Sequence, residues 1–159
     1  MKTKHGLALL TALLIAPFAA LAKSFAPTGT DALNTQGFLD GAFTRSCEVP
    51  IAAHLLVTFG TAAATQVKLN TAATRPIGTC YDDFAQDARA SIIPIANGTP
   101  KLVIASKAIA AGVRVYGTDG GKITDAVVAG SYLVGEALTA GAADGSEMQI
   151  LPLSPVVNP

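Results

Sequence analysis

The sequence predicts an all-β fold: a small barrel or sandwich of short antiparallel strands, preceded by an extended N-terminal arm. Three observations predict it. Half of the 159 residues are hydrophobic and only 14% are charged, with 15 Gly, 9 Pro and no Trp. A disordered chain would carry fewer apolar residues and more charge, so this is the composition of a folded chain with many turns. From residue 55 onward the apolar residues fall in short runs with period-two or β-branched character, the spacing of half-buried strands. The two halves of that region also echo each other, so the fold is expected to contain an internal duplication.

The length bounds the protein to one domain, or one domain plus an arm. With 11 Lys+Arg against 11 Asp+Glu the formal net charge is zero. Nucleic-acid binding is therefore not expected, because counterion release requires a cluster of cations on one face.

At the start of the chain, Lys2 and Lys4 precede an apolar run over 7–16, then Pro17 and Ala20-Leu21-Ala22 ahead of Lys23. This is the layout of a secretory signal peptide, with cleavage expected after Ala22. The alternative is a retained N-terminal helix that packs on a partner. Stable membrane anchoring is not expected, since a permanent span needs roughly 20 apolar residues. Residues 23–50 mix turn formers with Phe25, Phe38 and Phe43 and show neither helical nor alternating period, so they are expected as an arm bounded by Pro50. Such a segment is either a flexible leader or a binding arm whose three phenylalanines are the anchors.

The body, 51–159, is expected to hold strands at 55–59, 66–69, 77–81, 88–93, 101–105, 113–116, 122–124, 132–138 and 147–153. Asn97-Gly98, the Gly-rich stretch 117–121 and Asp144-Gly145 supply the reversals between them. Only 104–111 suggests a helical turn, closed by Gly112. In the internal echo, Val57-Thr58-Phe59-Gly60-Thr61 answers to Val113-Arg114-Val115-Tyr116-Gly117-Thr118, and Val67-Lys68-Leu69-Asn70 to Gly121-Lys122-Ile123-Thr124. Gly78 and Gly135 are expected as equivalent corners, because a glycine inside a strand marks a bulge or a close backbone approach. Each copy then runs through an acidic turn into a strand ending at Pro94 or Pro152.

Reactive residues are few. Cys47 and Cys80 suit either one disulfide in an exported chain or two small buried thiols. His54 is the one histidine beyond the signal-like segment, and one imidazole without partners is more often structural than catalytic. Asp82, Asp83 and Asp87 concentrate carboxylates in one loop but lack the spacing of a calcium loop. The 117–121 glycines lack the Lys-Ser/Thr of a phosphate-binding loop, and no serine sits in Gly-x-Ser-x-Gly. No enzyme, cofactor or metal is expected.

The stretch VIASKAIAAGVRVYGTDGGKITD followed by YLVGEALTAGAADGSEMQILPL, with HLLVTFG and RPIGTCYDD upstream, resembles phage capsid decoration proteins, also called head-stabilising or cement proteins. The resemblance covers about residues 50–154. It implies a small non-catalytic all-β domain that binds the outer surface of an icosahedral shell, with the major capsid protein as partner and a homotrimer as the usual assembly. The arm, with Phe25, Phe38 and Phe43, would then lie across capsid subunits. On this reading the protein resides in the virion, and deleting 1–45 should abolish shell binding while the β body stays folded. The signal-like N-terminus points instead to an exported bacterial surface or periplasmic binding module. Export predicts a Cys47–Cys80 disulfide, whereas cytoplasmic assembly predicts free thiols.

Overall fold

A computed structural model of the chain describes residues 41–95 and 98–159. Among them the only regular elements are ten β-strands and one short 3-10 turn, as the all-β expectation requires. The strands are β1 (Phe43–Cys47), β2 (Leu56–Phe59), β3 (Gln66–Leu69), β4 (Gly78–Cys80), β5 (Arg89–Pro94), β6 (Lys101–Ile104), β7 (Arg114–Gly117), β8 (Ile123–Thr124), β9 (Tyr132–Ala137) and β10 (Glu147–Val157). The 3-10 turn, Asp119–Gly121, makes the hairpin between β7 and β8.

The first five strands close into a barrel in the order β1-β3-β2-β4-β5, and the last five form a sheet in the order β6-β10-β9-β7-β8. Read around the barrel in the other direction, the first order becomes β1-β5-β4-β2-β3, which is the second order strand for strand. The internal duplication is therefore real at the level of topology. In the first repeat β1 and β3 close the ring as a parallel pair. In the second, a single parallel bridge between Ala105 and Ile123 stands in the same place, so that sheet curls without fully closing.

Hydrogen bonds repeat with the strands and give residue-level equivalence. Asp87 and Ala88 exchange backbone bonds with Cys47, as Gly145 and Ser146 do with Ala105. His54 donates to the Cys80 carbonyl as Gly112 does to that of Ala137, and bridges join Ile51 to Phe84 and Ile109 to Gly141. The expected corners hold: Gly78 lies opposite Pro94 and Gly135 opposite Pro152. The first hairpin differs from the sequence echo by one place in its first strand and by two in its second, where Val67 is equivalent to Ile123. Phe59 pairs with Val67 and Gly117 with Ile123, so Gly117 is equivalent to Phe59 rather than to Gly60.

Each repeat has its own core. Cys47, Ile51, Val57, Val67, Cys80, Ala90 and Ile92 fill the barrel. Val103, Ile109, Val115, Ile123, Val134, Met148 and Ile150 are among those filling the second repeat. Each fully buried aliphatic side chain of this kind contributes about 1.5–3 kcal/mol. Two residues of the first repeat, Leu56 and Ile95, belong to the second core. Around them the Gly121 N–H donates to the Asn70 carbonyl at 3.0 Å and the Ala72 N–H to Asp119 Oδ1 at 3.0 Å. Glycines make this approach feasible: a Cβ on Gly121 would sit 2.6 Å from the Leu56 carbonyl oxygen, and one on Gly117 2.8 Å from Asn70 Nδ2.

Three expectations are corrected. The arm does not run to residue 50, because 43–47 form a barrel strand paired with both β3 and β5. A deletion of 1–45 would therefore cut into β1. No helical turn forms at 104–111, where Ala105 and Ile109 are instead held by bridges to Ile123 and Gly141 and buried in the core. Finally, β10 continues past Pro152 to Val157, rejoining β9 through Val156 and Val157 after a shift in register.

Candidate functional site

The residues with chemistry in them are mostly used by the fold. Cys47 and Cys80 are fully buried free thiols in the barrel core. Burial pushes the Cys47 thiol up. Burial first, and the neighbouring Cys47 second, push that of Cys80 up to about 12. The thiolate is the nucleophile, so both groups are chemically quiet at neutral pH. Their equivalents in the second repeat are Ala105 and Ala137, which marks the two positions as sites for small core side chains.

The acidic loop is likewise structural. Asp83 Oδ1 accepts the Ala53 N–H at 2.7 Å and Asp82 Oδ1 accepts the Asp83 N–H at 2.8 Å. Asp87 takes a positive φ of 62° where the second repeat has Gly145. Among the described residues no group of three or more His, Cys, Asp or Glu side chains is arranged to hold a metal ion.

His54 stands at the seam between the repeats. It also adopts a positive φ, 63°, and its Nε2 lies 3.8 Å from Glu147 Oε1. It borders a hollow of about 310 Å³ shared by Thr79 and Tyr81 of the first repeat and Lys101, Leu102 and Gln149 of the second. A second hollow, of about 420 Å³, lies between Phe59, Arg75 and Ile77 of the barrel and Pro155 of β10.

Of the three phenylalanines expected as arm anchors, Phe43 belongs to the barrel. It packs partly buried against the core, with the Arg45 guanidinium 5.3 Å from its ring centre. Phe25 and Phe38, and the hydrophobic segment 1–22, lie outside the described residues.

The surface offers apolar contact area that sequence reading missed. Phe59, Val127, Val128, Val156 and Val157 are 46–60% exposed. The Val128 carbonyl accepts from Ser131 N, Ser131 Oγ and Asn158 Nδ2, which pins the 127–128 loop beside the end of β10. Neither 126–135 nor 148–159 contains a charged residue. That absence was the available signal, and charge depletion is characteristic of interface cores.

No protein-family model matches the chain, and no curated protein matches it. Among solved structures it is similar to the N base of head fiber gp8.5 of bacteriophage phi29. The TM-score is 0.59 at 16% sequence identity, and the match covers 74% of this chain and 98% of that one. At this identity the likeness is one of fold. It extends over nearly the whole length of the phage head-fiber base.

Proposed function

We propose that the protein is a structural component of a phage head, a decoration or cement subunit that binds the outer surface of the capsid and stabilises it without chemistry. The observation that carries this reading is the shared fold with the phi29 head-fiber base over 98% of that chain. The major capsid protein is then its partner, the virion its location, and a homotrimer its assembly. Such a role needs a rigid body with exposed apolar contacts. The two fused β repeats and the exposed valines of the second supply both. Several attachment points on one assembly would make individually weak contacts persistent. The free, buried thiols suit a protein that matures in a reducing cytoplasm.

The test is reconstitution. Purified protein is mixed with shells assembled from the major capsid protein of the phage that encodes it, and the mixture is sedimented. Saturable co-sedimentation, with a rise in the temperature at which the shells disassemble, is the expected result. Shells that pellet bare at every protein concentration would overturn the proposal.

A further inference from the structure

The two repeats close their sheets by the same parallel contact, but to different extents. In the first, β1 and β3 pair at Ser46–Gln66 and Cys47–Val67. The N–H groups of Ser46 and Glu48 donate across that seam to the Thr65 and Val67 carbonyls at 2.9 and 2.8 Å. In the second, Ala105 and Ile123 make a single bridge, and the Ser106 N–H donates to the Ile123 carbonyl at 2.9 Å. Ser106 is thus the counterpart of Glu48. A seam crossed by fewer backbone bonds opens locally at a smaller free energy.

Two ion pairs stand at this weaker seam. Lys107 Nζ lies 2.6 Å from Asp125 Oδ1, each two residues beyond the bridge on its own strand. Lys122, one residue before Ile123, places its Nζ 2.6 Å from Asp144 Oδ1. Asp144 sits in the turn between β9 and β10, which the Gly145 N–H ties to the Ala105 carbonyl at the end of β6. One pair therefore joins the two sides of the seam past the bridge, and the other joins them before it. Counting from the equivalent pairs Cys47–Val67 and Ala105–Ile123, and from Asp87 and Gly145, the same four positions in the first repeat are Val49, Leu69, Gln66 and Gln86. None of these carries a charge. The ion pairs are present where the ladder is short and absent where it is longer.

We infer that the second repeat is closed by an electrostatic clasp, in which the Lys107–Asp125 and Lys122–Asp144 pairs hold together a β6–β8 seam that backbone bonds alone secure in the first repeat. Ionic strength then controls this seam and not the other, because exposed ion pairs are screened by salt far more than hydrogen bonds between neutral backbone groups. Opening uncovers the edges of β6 and β8 while the barrel of the first repeat keeps its shape. The inference concerns the fold itself and holds whatever the protein binds.

The experiment is amide hydrogen exchange of the full chain followed by NMR, scored as the protection of Ser106 relative to that of Ser46 and Glu48 in the same sample. A change in overall stability moves all three amides together and leaves this ratio alone. Ser106 is expected to be the least protected of them. Raising salt from about 0.01 M to about 1 M shortens the Debye length from roughly 30 Å to 3 Å and should lower the ratio further. Lys107→Met and Lys122→Met should each lower it at low salt, by roughly twofold or more. Exchanging the charges of one pair, Lys107→Asp with Asp125→Lys, should restore it. Protection of Ser106 equal to that of Glu48, a ratio unmoved by salt or by either lysine substitution, or a charge exchange that fails to restore it would each overturn the clasp.

Discussion

Gly78 and Gly135 occupy the same corner in the two repeats: a Cβ on Gly78 would lie 2.4 Å from the carbonyl oxygen of Ile93, and one on Gly135 2.4 Å from that of Leu151. Neither has a positive φ, so what demands glycine here is proximity to a neighbouring backbone. Gly78→Ala and Gly135→Ala should each destabilise the protein by about 2 kcal/mol through overpacking against atoms that cannot rotate away. Thermal unfolding monitored by circular dichroism would show both midpoints lowered by several degrees. A midpoint unchanged in either variant would remove the corner from the list of fold determinants.

This corner was legible in the sequence because each glycine interrupts an aliphatic strand and each partner strand carries a proline at the matching point, Pro94 and Pro152. The strand β1 was not legible. Its residues, Phe43–Cys47, show no alternation of burial until Cys47, and it is made a strand by partners distant in sequence, Gln66 and Val67 on one side and Arg89–Ile92 on the other. The expected helical turn at 104–111 failed for a related reason. Its alanines favour helix locally, but burying Ala105 and Ile109 in the second core outweighs that preference of a few tenths of a kcal/mol per residue. The contact surface was hidden because an exposed valine and a buried one look alike in sequence, and only the fold shows which face is covered.

Two positions separate backbone strain from crowding. His54 and Asp87 hold positive φ where the second repeat has Gly112 and Gly145, and a Cβ at either glycine would meet nothing within 4 Å. Gly112→Ala and Gly145→Ala should therefore cost about 1–2 kcal/mol from the left-handed backbone alone. Asp87→Gly should be close to neutral, since relief of that strain is offset by the greater freedom of glycine in the unfolded chain. Chemical denaturation at equilibrium measures all three. A Gly145→Ala variant as stable as the parent would contradict the argument.

The buried thiols make a prediction about pH. In the folded state Cys80 is raised from its ordinary value of 9.0 to about 12 and Cys47 is raised as well. The neutral thiol is the form the core accepts, so the stability it carries is complete below about pH 9 and is lost as pH rises towards 12. Cys47→Ala and Cys80→Ala should flatten this alkaline loss and cost only about 1 kcal/mol near neutrality, the usual scale for a small core change. Thiol-specific labelling should be slow in native protein and fast after unfolding. Rapid labelling of the folded chain would mean that the barrel opens locally at β1 or β4.

The part played by β1 is tested by truncation at two points. A chain lacking 1–40 keeps all of Phe43–Cys47, and with it both ladders that close the barrel. It should unfold cooperatively with a midpoint close to that of the full chain. A chain lacking 1–47 loses the strand between β3 and β5, exposing two unpaired edges and removing Cys47 from the core. Open edges recruit other strands, so this shorter chain should aggregate or expose its apolar core to a hydrophobic dye. Applied to shell binding, the same pair of truncations separates the two contributions of the N-terminal region. Loss of binding with 1–40 alone removed, in a chain that still unfolds cooperatively, assigns the contact to the arm and its Phe25 and Phe38. Binding retained in that chain assigns the contact to the β body.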